Sequence, residues 1–430
     1  MRGHARSRPW PSKRIWRLAP FLEPSERARP NRASGRSLEF GRSGGLRLAD
    51  IPGTVPLFLA AWYRRSPYFE ASMAGGARAV DVYNNMYLPS YFDDPVNEYW
   101  HLVQHVAMWD VGCERQVEIT GPDAFEFTDS LTPRDLSKCK VGQGKYVVIT
   151  DAKGGIINDP VLLRLGENHF WLSLSDSDVL LWAKGVAIHS GMDVEVREPD
   201  VSPMQVQGPK SKDVVSALFG PKVLDLAYYH FMETSVDGIP VVVTRTGWSA
   251  EVGYEIYLRD GTKGVDLWRK VLEAGRPFNI RPTGPSDIRR IEAGILNYGS
   301  DMTLENNPYE VGLGWLVDED KKADYVGKEA LRSIKAAGIR QKLIGVEIQG
   351  PPMASWLTDY LPVLREGRQI GRLTAGVYSP RLTKNIGYAT VPIQQAKLGT
   401  RLTVRAEDGD RDATVVRKPF LDPKKDIPKS

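Results

Sequence analysis

The chain has only two cysteines, Cys113 and Cys139, in 430 residues. Two thiols form at most one bridge and here lack metal-ligand spacing, so a disulfide scaffold is excluded and a reduced, cytoplasmic protein is expected. Histidine is also sparse: six residues, scattered, without ligand spacing, so no metal is expected. No run of about 18 apolar residues occurs, and no membrane span is expected. A phosphate-cradling Gly-rich loop and a Ser-His-Asp order are both missing. Acidic residues are scarce only at the start. Residues 1–55 hold 12 Lys and Arg against 4 Asp and Glu, while the remainder holds 45 against 49. The pI of about 8.8 therefore misleads: the body is mildly acidic, and nucleic-acid binding is not expected.

What is present fits a soluble globular protein, with 42% hydrophobic and 26% charged residues over a length that allows two or three domains. Residues 1–63 read as a disordered, Arg-rich arm without sustained period. Pro9, Pro11, Pro20, Pro24 and Pro30 argue against the amphipathic helix of a transit peptide, and an arm without a role is expected. From Tyr68 the chain reads as folded. Val80–Pro89 is expected as one strand. The three-and-four spacing of Val96, Tyr99, Trp100, Val103, Val106 and Ala107 predicts a helix over Val96–Met108. A second helix is expected over Val179–Ser190, capped by Asp176 or Ser177. Beyond residue 335 the pattern is β-rich, with five expected strands separated by Gly and Pro turns, which suits a small barrel-like domain.

The central stretch is Gly154-Gly155-Ile156-Ile157-Asn158-Asp159-Pro160, preceded by Gly144-Lys145-Tyr146-Val147-Val148. It predicts a hairpin whose glycines supply positive φ. Asn158-Asp159 interrupts an apolar strand, and a carboxylate there must be paired, hydrated or used. A bulge carboxylate satisfied by backbone N–H groups is the plain alternative.

Two further stretches, Arg245-Thr246-Gly247-Trp248-Ser249 through Tyr254-Glu255-Ile256-Tyr257 and Asn306-Asn307-Pro308-Tyr309-Glu310-Val311-Gly312-Leu313, occur in order with the first. Together they resemble the folate-binding T-protein (aminomethyltransferase) superfamily of the glycine cleavage system over residues 64–425. The resemblance implies an α+β, three-domain fold around a central folate channel: a folate-binding region over 64–334 made of two interleaved α+β domains, and a barrel-like domain over 335–430. It implies tetrahydrofolate as the acceptor of a one-carbon unit. Asp159 matches the acid that faces the reactive folate nitrogens, and Glu255 the acid that holds the pterin edge. Tyr146 and Tyr228 match aromatic positions of the channel. A salt-bridged strand residue is the alternative for Glu255, and core packing for either tyrosine. Two positions depart from the pattern: Asn158 stands where the family has a first acid, and Ser286 where an arginine is common, leaving Arg290 to anchor its helix.

Val82-Tyr83-Asn84-Asn85-Met86, Trp109 to Val117, Leu131-Thr132-Pro133-Arg134-Asp135, Phe170 to Asp178 and Thr246-Gly247-Trp248-Ser249 are similar to the dimethylsulfoniopropionate demethylase branch. That implies methyl transfer from dimethylsulfoniopropionate to N5 of tetrahydrofolate. An aromatic cage suits a sulfonium at roughly 0.5–2 kcal/mol per contact, and Tyr83, Trp171 and Trp248 are the expected cage, although Trp171 equally suits a core. An amide at Asn158 would avoid a carboxylate competing for the cation. Other readings stay open: a methoxy-aromatic or betaine demethylase, an aminomethyltransferase, or a non-catalytic folate-binding regulator. A homodimer is held open as the assembly.

Overall fold

Alternation along single strands explains the architecture, seen in a computed structural model that describes residues 59–353 and 357–430. The expected arm lies outside these residues as far as residue 58. In the strand Gly253–Leu258, Tyr254, Ile256 and Leu258 enter one hydrophobic cluster, while Tyr257 enters another. Successive side chains leave a strand on opposite faces, so Glu255 shares the side of Tyr257. The same split occurs in Ile239–Thr244, where Val241 and Val243 face one way and Val242 the other.

This strand lies in a six-stranded sheet ordered Phe231–Val236, Ile239–Thr244, Gly253–Leu258, Ser202–Gln207, Val106–Asp110 and Ile280–Pro282. Only the last pairing is parallel. Helices Ser211–Phe219 and Gly264–Gly275 cover one face through Val214, Val215, Leu267, Trp268 and Val271. A five-stranded antiparallel sheet runs Glu195–Arg197, Gln116–Thr120, His169–Ser173, Val161–Gly166 and Gly144–Tyr146. Its outer face is covered by helices Ala124–Ser130 and Val179–Ser190. The chain interleaves the two sheets: residues 116–197 build the second between Val106–Asp110 and Ser202–Gln207, which pair with each other in the first.

The uncovered faces of the sheets meet through Leu163, Trp171, Phe231, Val242 and Tyr257. Each large side chain buried there is worth roughly 1.5–3 kcal/mol. The rest of the layer is polar. Gln116, Ser173, Gln205, Gln207, Thr244 and Glu255 are buried, and along their strands they alternate with residues of the outer clusters. Burying so many polar groups is unfavourable unless they are paired or meet a ligand, which marks this layer as the place for a site.

Residues 341–416 form a closed six-stranded barrel around Val346, Val363, Leu373, Val404 and Val415. Closure removes sheet edges. The sixth strand, Gly409–Val416, escapes the sequence pattern because its first half, Asp410-Arg411-Asp412, is polar and largely exposed. The barrel docks on the helix Asp287–Glu292: Tyr388 Oη donates to the Ile291 carbonyl at 2.9 Å.

Three local expectations need correction. Val80–Pro89 is a hairpin, Ala79–Tyr83 against Met86–Tyr91, because Asn84 and Asn85 turn at φ 51° and 57°, the left-handed pair of a tight hairpin turn. The helix predicted to Met108 spans Pro95–Gln104; Val106–Met108 belong to a central strand, and burial there outweighs helical period. The helix Val179–Ser190 has the expected bounds, but its cap is Asp178, which accepts from Leu181 N at 3.2 Å.

Candidate active site

Asp159 sits where the predicted second strand breaks. Ile156–Asn158 pairs with Ile149–Thr150, and Val161–Gly166 pairs with Gly144–Tyr146; Asp159-Pro160 joins the two ladders and belongs to neither. Both glycines of the preceding turn are required, for different reasons. Gly154 has φ +82°, and a Cβ on Gly155 would stand 2.2 Å from the Leu304 carbonyl.

Each Asp159 oxygen accepts one hydroxyl: Tyr146 Oη donates to Oδ2 at 2.7 Å, and Ser175 Oγ donates to Oδ1 in a short bond. Burial nevertheless dominates and pushes the carboxyl up to about 6, against the lowering effect of these two donors. The group is thus ionised at neutral pH but close to its midpoint, the range useful to a proton acceptor. Tyr83, Tyr146, Tyr229 and Tyr298 all lie within electrostatic reach of this carboxylate, which raises their own hydroxyl pKa values further above the usual range. Tyr146 packs on Trp315, ring centroids 6.2 Å apart.

Asn158 is fully buried and acts as a brace. Its Nδ2 donates to the Ser175 carbonyl at 2.9 Å and to Ser177 Oγ at 2.7 Å, and its Oδ1 accepts from Ser175 N at 3.1 Å. Asn84 Nδ2 adds a donor to the same Ser175 carbonyl at 3.0 Å. This pins the hairpin that carries Tyr83. An aspartate at 158 has no hydrogens for either bond. The amide therefore has a use within the fold, through the two bonds it donates.

Glu255 is buried on the inter-sheet face and accepts from Gln205 Nε2 (2.8 Å), Thr246 Oγ1 (2.5 Å), Tyr257 Oη (3.1 Å) and Thr244 Oγ1 (3.3 Å). Glu114 approaches from the other sheet, with Gln205 Nε2 3.4 Å from its Oε1. Burial pushes both carboxyls upward, and Glu255 raises Glu114 further. A carboxylate close to another favours its protonated form, and Glu114 is the half-buried member of this pair. The four donors to Glu255 favour its ionised form and oppose the upward push of burial.

The remaining predicted residues divide. Tyr228 and Tyr229 meet edge to face at 4.8 Å. Tyr229, which went unremarked in the sequence, takes φ +63° and bridges the sheets: its N donates to the Arg245 carbonyl and its carbonyl accepts from Gly144 N. A non-glycine in this conformation is strained and often functional. Trp171 does not fit an open cage. It is 0% exposed, its Nε1 donates to Glu118 at 2.9 Å, and its ring lies among Tyr257 and Arg259. Trp248 is half-buried, with the Arg290 guanidinium 5.7 Å from its ring centroid, and packs on Trp109 and Val111. Arg290 is the expected anchor, bonded to Asp287 at 2.5 Å and Asp301 at 2.7 Å. Ser286 caps the same helix by accepting from Arg289 N. Cys113 and Cys139 are free and buried, and no helix of the described residues is long and apolar enough to cross a membrane.

Residues 68–321 match the GCVT N-terminal domain, and residues 341–422 match the glycine cleavage T-protein C-terminal barrel domain. The chain belongs to the glycine cleavage T-protein family. Within it, similar relatives include dimethylsulfoniopropionate demethylase DmdA of Ruegeria pomeroyi, 40% identical over 84% of this chain and 98% of that protein. The aminomethyltransferase of Shouchella clausii is 31% identical over 83% of this chain and 97% of that protein. The crystal structure of glycine cleavage system aminomethyltransferase T from Bartonella henselae superposes with a TM-score of 0.75 over 84% of this chain and 98% of that one, at 23% identity, and shares the fold.

Proposed function

We propose that this T-protein family member is a tetrahydrofolate-dependent demethylase, which moves a methyl group from dimethylsulfoniopropionate to N5 of tetrahydrofolate and leaves 3-(methylthio)propanoate and 5-methyltetrahydrofolate. The observation that carries the reading is Asp159: a partly exposed carboxylate, held by two hydroxyls, ringed by tyrosines and poised near pH 6. The resemblance to DmdA over nearly its full length supports the choice of donor. The residues present fit a flat, hydrogen-bonding acceptor. Gln116 Oε1, in the polar layer, is a buried acceptor with no hydrogen-bond partner among the described residues, and Glu255 lies in the same layer.

When bound, tetrahydrofolate supplies the nitrogen lone pair, and the sulfonium supplies a neutral thioether leaving group, so the donor needs no general acid. Glu255, Glu114 and Gln205 would hold the N–H edge of the pterin. Tyr83 and Tyr229 would flank the sulfonium cation by their ring faces. Asp159 would orient the amine and, ionised, accept the proton set free as the methyl is transferred. Most of the acceleration then comes from positioning in a dry layer.

The assay is anaerobic incubation with tetrahydrofolate and, separately, dimethylsulfoniopropionate, glycine betaine and vanillate, with 5-methyltetrahydrofolate followed. Product with the sulfonium alone is expected; product with another donor alone would sink the sulfonium reading. Action in the cytoplasm is part of the proposal, supported by two buried free thiols. So is a homodimer, supported by the outward Leu181 and Ile188, 67% and 76% exposed, and checked by sedimentation.

A further inference from the structure

Other arginines withdrawn from solvent near the site are paired with acids: Arg115 is half-buried, and Arg289 and Arg290 are buried. Arg115 meets Glu198 at 2.6 Å, Arg289 meets Glu251 at 2.7 Å, and Arg290 has two partners. Arg134 differs. Among the described residues it makes no ion pair. One of its five N–H groups donates to the Tyr146 carbonyl, and its guanidinium lies over the Trp315 ring, 5.5 Å from the centroid. Trp315 is 58% exposed and also packs on Tyr146. Burial makes the charge harder to keep and lowers the Arg134 pKa, with Asp318 and Tyr229 only in more distant electrostatic contact. A guanidinium held half out of water without a carboxylate is costly, and its planar donors match a carboxylate in two-point fashion.

Its location gives it a purpose. Tyr146 ties Arg134 to the reacting centre: the backbone carbonyl of this one residue accepts from Arg134, while its side-chain hydroxyl donates to Asp159. Arg134 is thus one tyrosine length from Asp159, the carboxylate proposed to accept the proton. With Trp315 beneath its plane, the edge of the guanidinium is the side from which a carboxylate can be met in two-point fashion.

We propose that Arg134, laid over Trp315 beside Tyr146, is a binding residue for the carboxylate of an incoming ligand. The inference rests on the demethylase reading, in which two ligands carry such a group: the propionate end of the methyl donor and the glutamate end of tetrahydrofolate.

Arg134→Gln and Arg134→Lys in the full chain test it, with the Michaelis constants for dimethylsulfoniopropionate and for tetrahydrofolate measured separately. For one of the two ligands, Arg134→Gln raises KM roughly ten- to a hundredfold with kcat within threefold, and Arg134→Lys recovers part of the loss. Paired substrates assign the source. With trimethylsulfonium, which has no carboxylate, the handicap of the variant disappears if the donor is the ligand held. With tetrahydropteroate, which has no glutamate, it disappears if folate is. Unchanged KM for both ligands would overturn the proposal. So would an equal handicap with and without each carboxylate, since that marks a purely structural arginine. If the wild-type chain does not turn over the sulfonium, the demethylase reading has failed. Calorimetric titration of tetrahydrofolate against tetrahydropteroate then decides for Arg134 alone, and equal affinity for the two in the wild type overturns it.

Discussion

Removing either hydroxyl that holds Asp159 should move the acid limb of the pH–rate profile upward. Tyr146 Oη and Ser175 Oγ both bond the carboxylate, and both oppose the burial that pushes it up to about 6. A donor that favours the ionised form keeps the pKa down, so deleting it makes protonation easier. A hydrogen bond to a charged group is worth roughly 1.5–3 kcal/mol, which is about 1–2 pKa units. Water entering this partly exposed site replaces some of that, leaving about 0.5–1 unit for each hydroxyl. Tyr146→Phe and Ser175→Ala should each place the limb between roughly pH 6.5 and 7, and the double variant above 7.

The measurement is kcat/KM from pH 5 to 9, with 5-methyltetrahydrofolate followed. At pH 6 each variant should be several-fold slower than wild type, while at pH 8.5 the rates converge to within about threefold. The convergence separates a shifted titration from a damaged site, which would lower the whole profile. An acid limb that stays in place in both variants, or moves downward, would refute the assignment of Asp159 as the ionised proton acceptor.

Three other outcomes follow from the same geometry. Asp159→Asn should lower turnover by about 10²–10⁴-fold yet stabilise the protein at neutral pH. The folded carboxyl titrates near 6, above its ordinary 3.8, so its favourable contribution is complete below pH 4 and lost as pH rises through 6. Ionisation then costs the wild type up to about 3 kcal/mol, and unfolding midpoints at pH 4 and 7.5 should show the advantage of the variant only at the higher pH. Asn158→Asp removes two donated bonds and sets a second charge beside Asp159; a loss of about 1–3 kcal/mol is expected by denaturant unfolding, and wild-type stability would exclude the bracing role. Trp171→Phe should cost about 1–3 kcal/mol through lost volume and the lost bond to Glu118, with KM for the donor within twofold. A tenfold rise in KM at unchanged stability would restore Trp171 to the cage.

The parts of the site legible in the sequence are those written locally. The Gly154-Gly155 turn, Asp159 and Tyr146 lie within one short stretch, and the family resemblance marks the last two as site residues. Glu255 likewise comes from the resemblance, and its strand places it on the same face as Tyr257. The illegible parts come from pairings between distant strands. Ser175 reaches Asp159 only because His169–Ser173 pairs with Val161–Gly166, and Glu114 meets Glu255 only because two sheets stack. Trp171 shows the limit of composition. An aromatic in an alternating strand looks the same whether its face meets a channel or a core, and the neighbours Leu163, Val242 and Tyr257 decide it. A signal was nevertheless present: Gln116, Ser173, Gln205 and Gln207 stand on the inward phase of otherwise apolar strands, and polar residues on a buried phase outline a site through their spacing alone.

Asn158 shows why such a site cannot be read one residue at a time. Viewed alone it is a missing acid, and a missing acid invites an explanation in terms of the substrate. In place, its amide hydrogens are occupied by Ser175 and Ser177, and the same Ser175 hydroxyl holds Asp159. The consequence for catalysis is indirect. The amide fixes the serine, the serine keeps the carboxylate ionised, and the neutral amide adds no second charge that would drive the Asp159 pKa higher. Asn158 thus bears on the pH at which Asp159 is ionised through Ser175, so exchange at this position should alter the pH dependence of the rate.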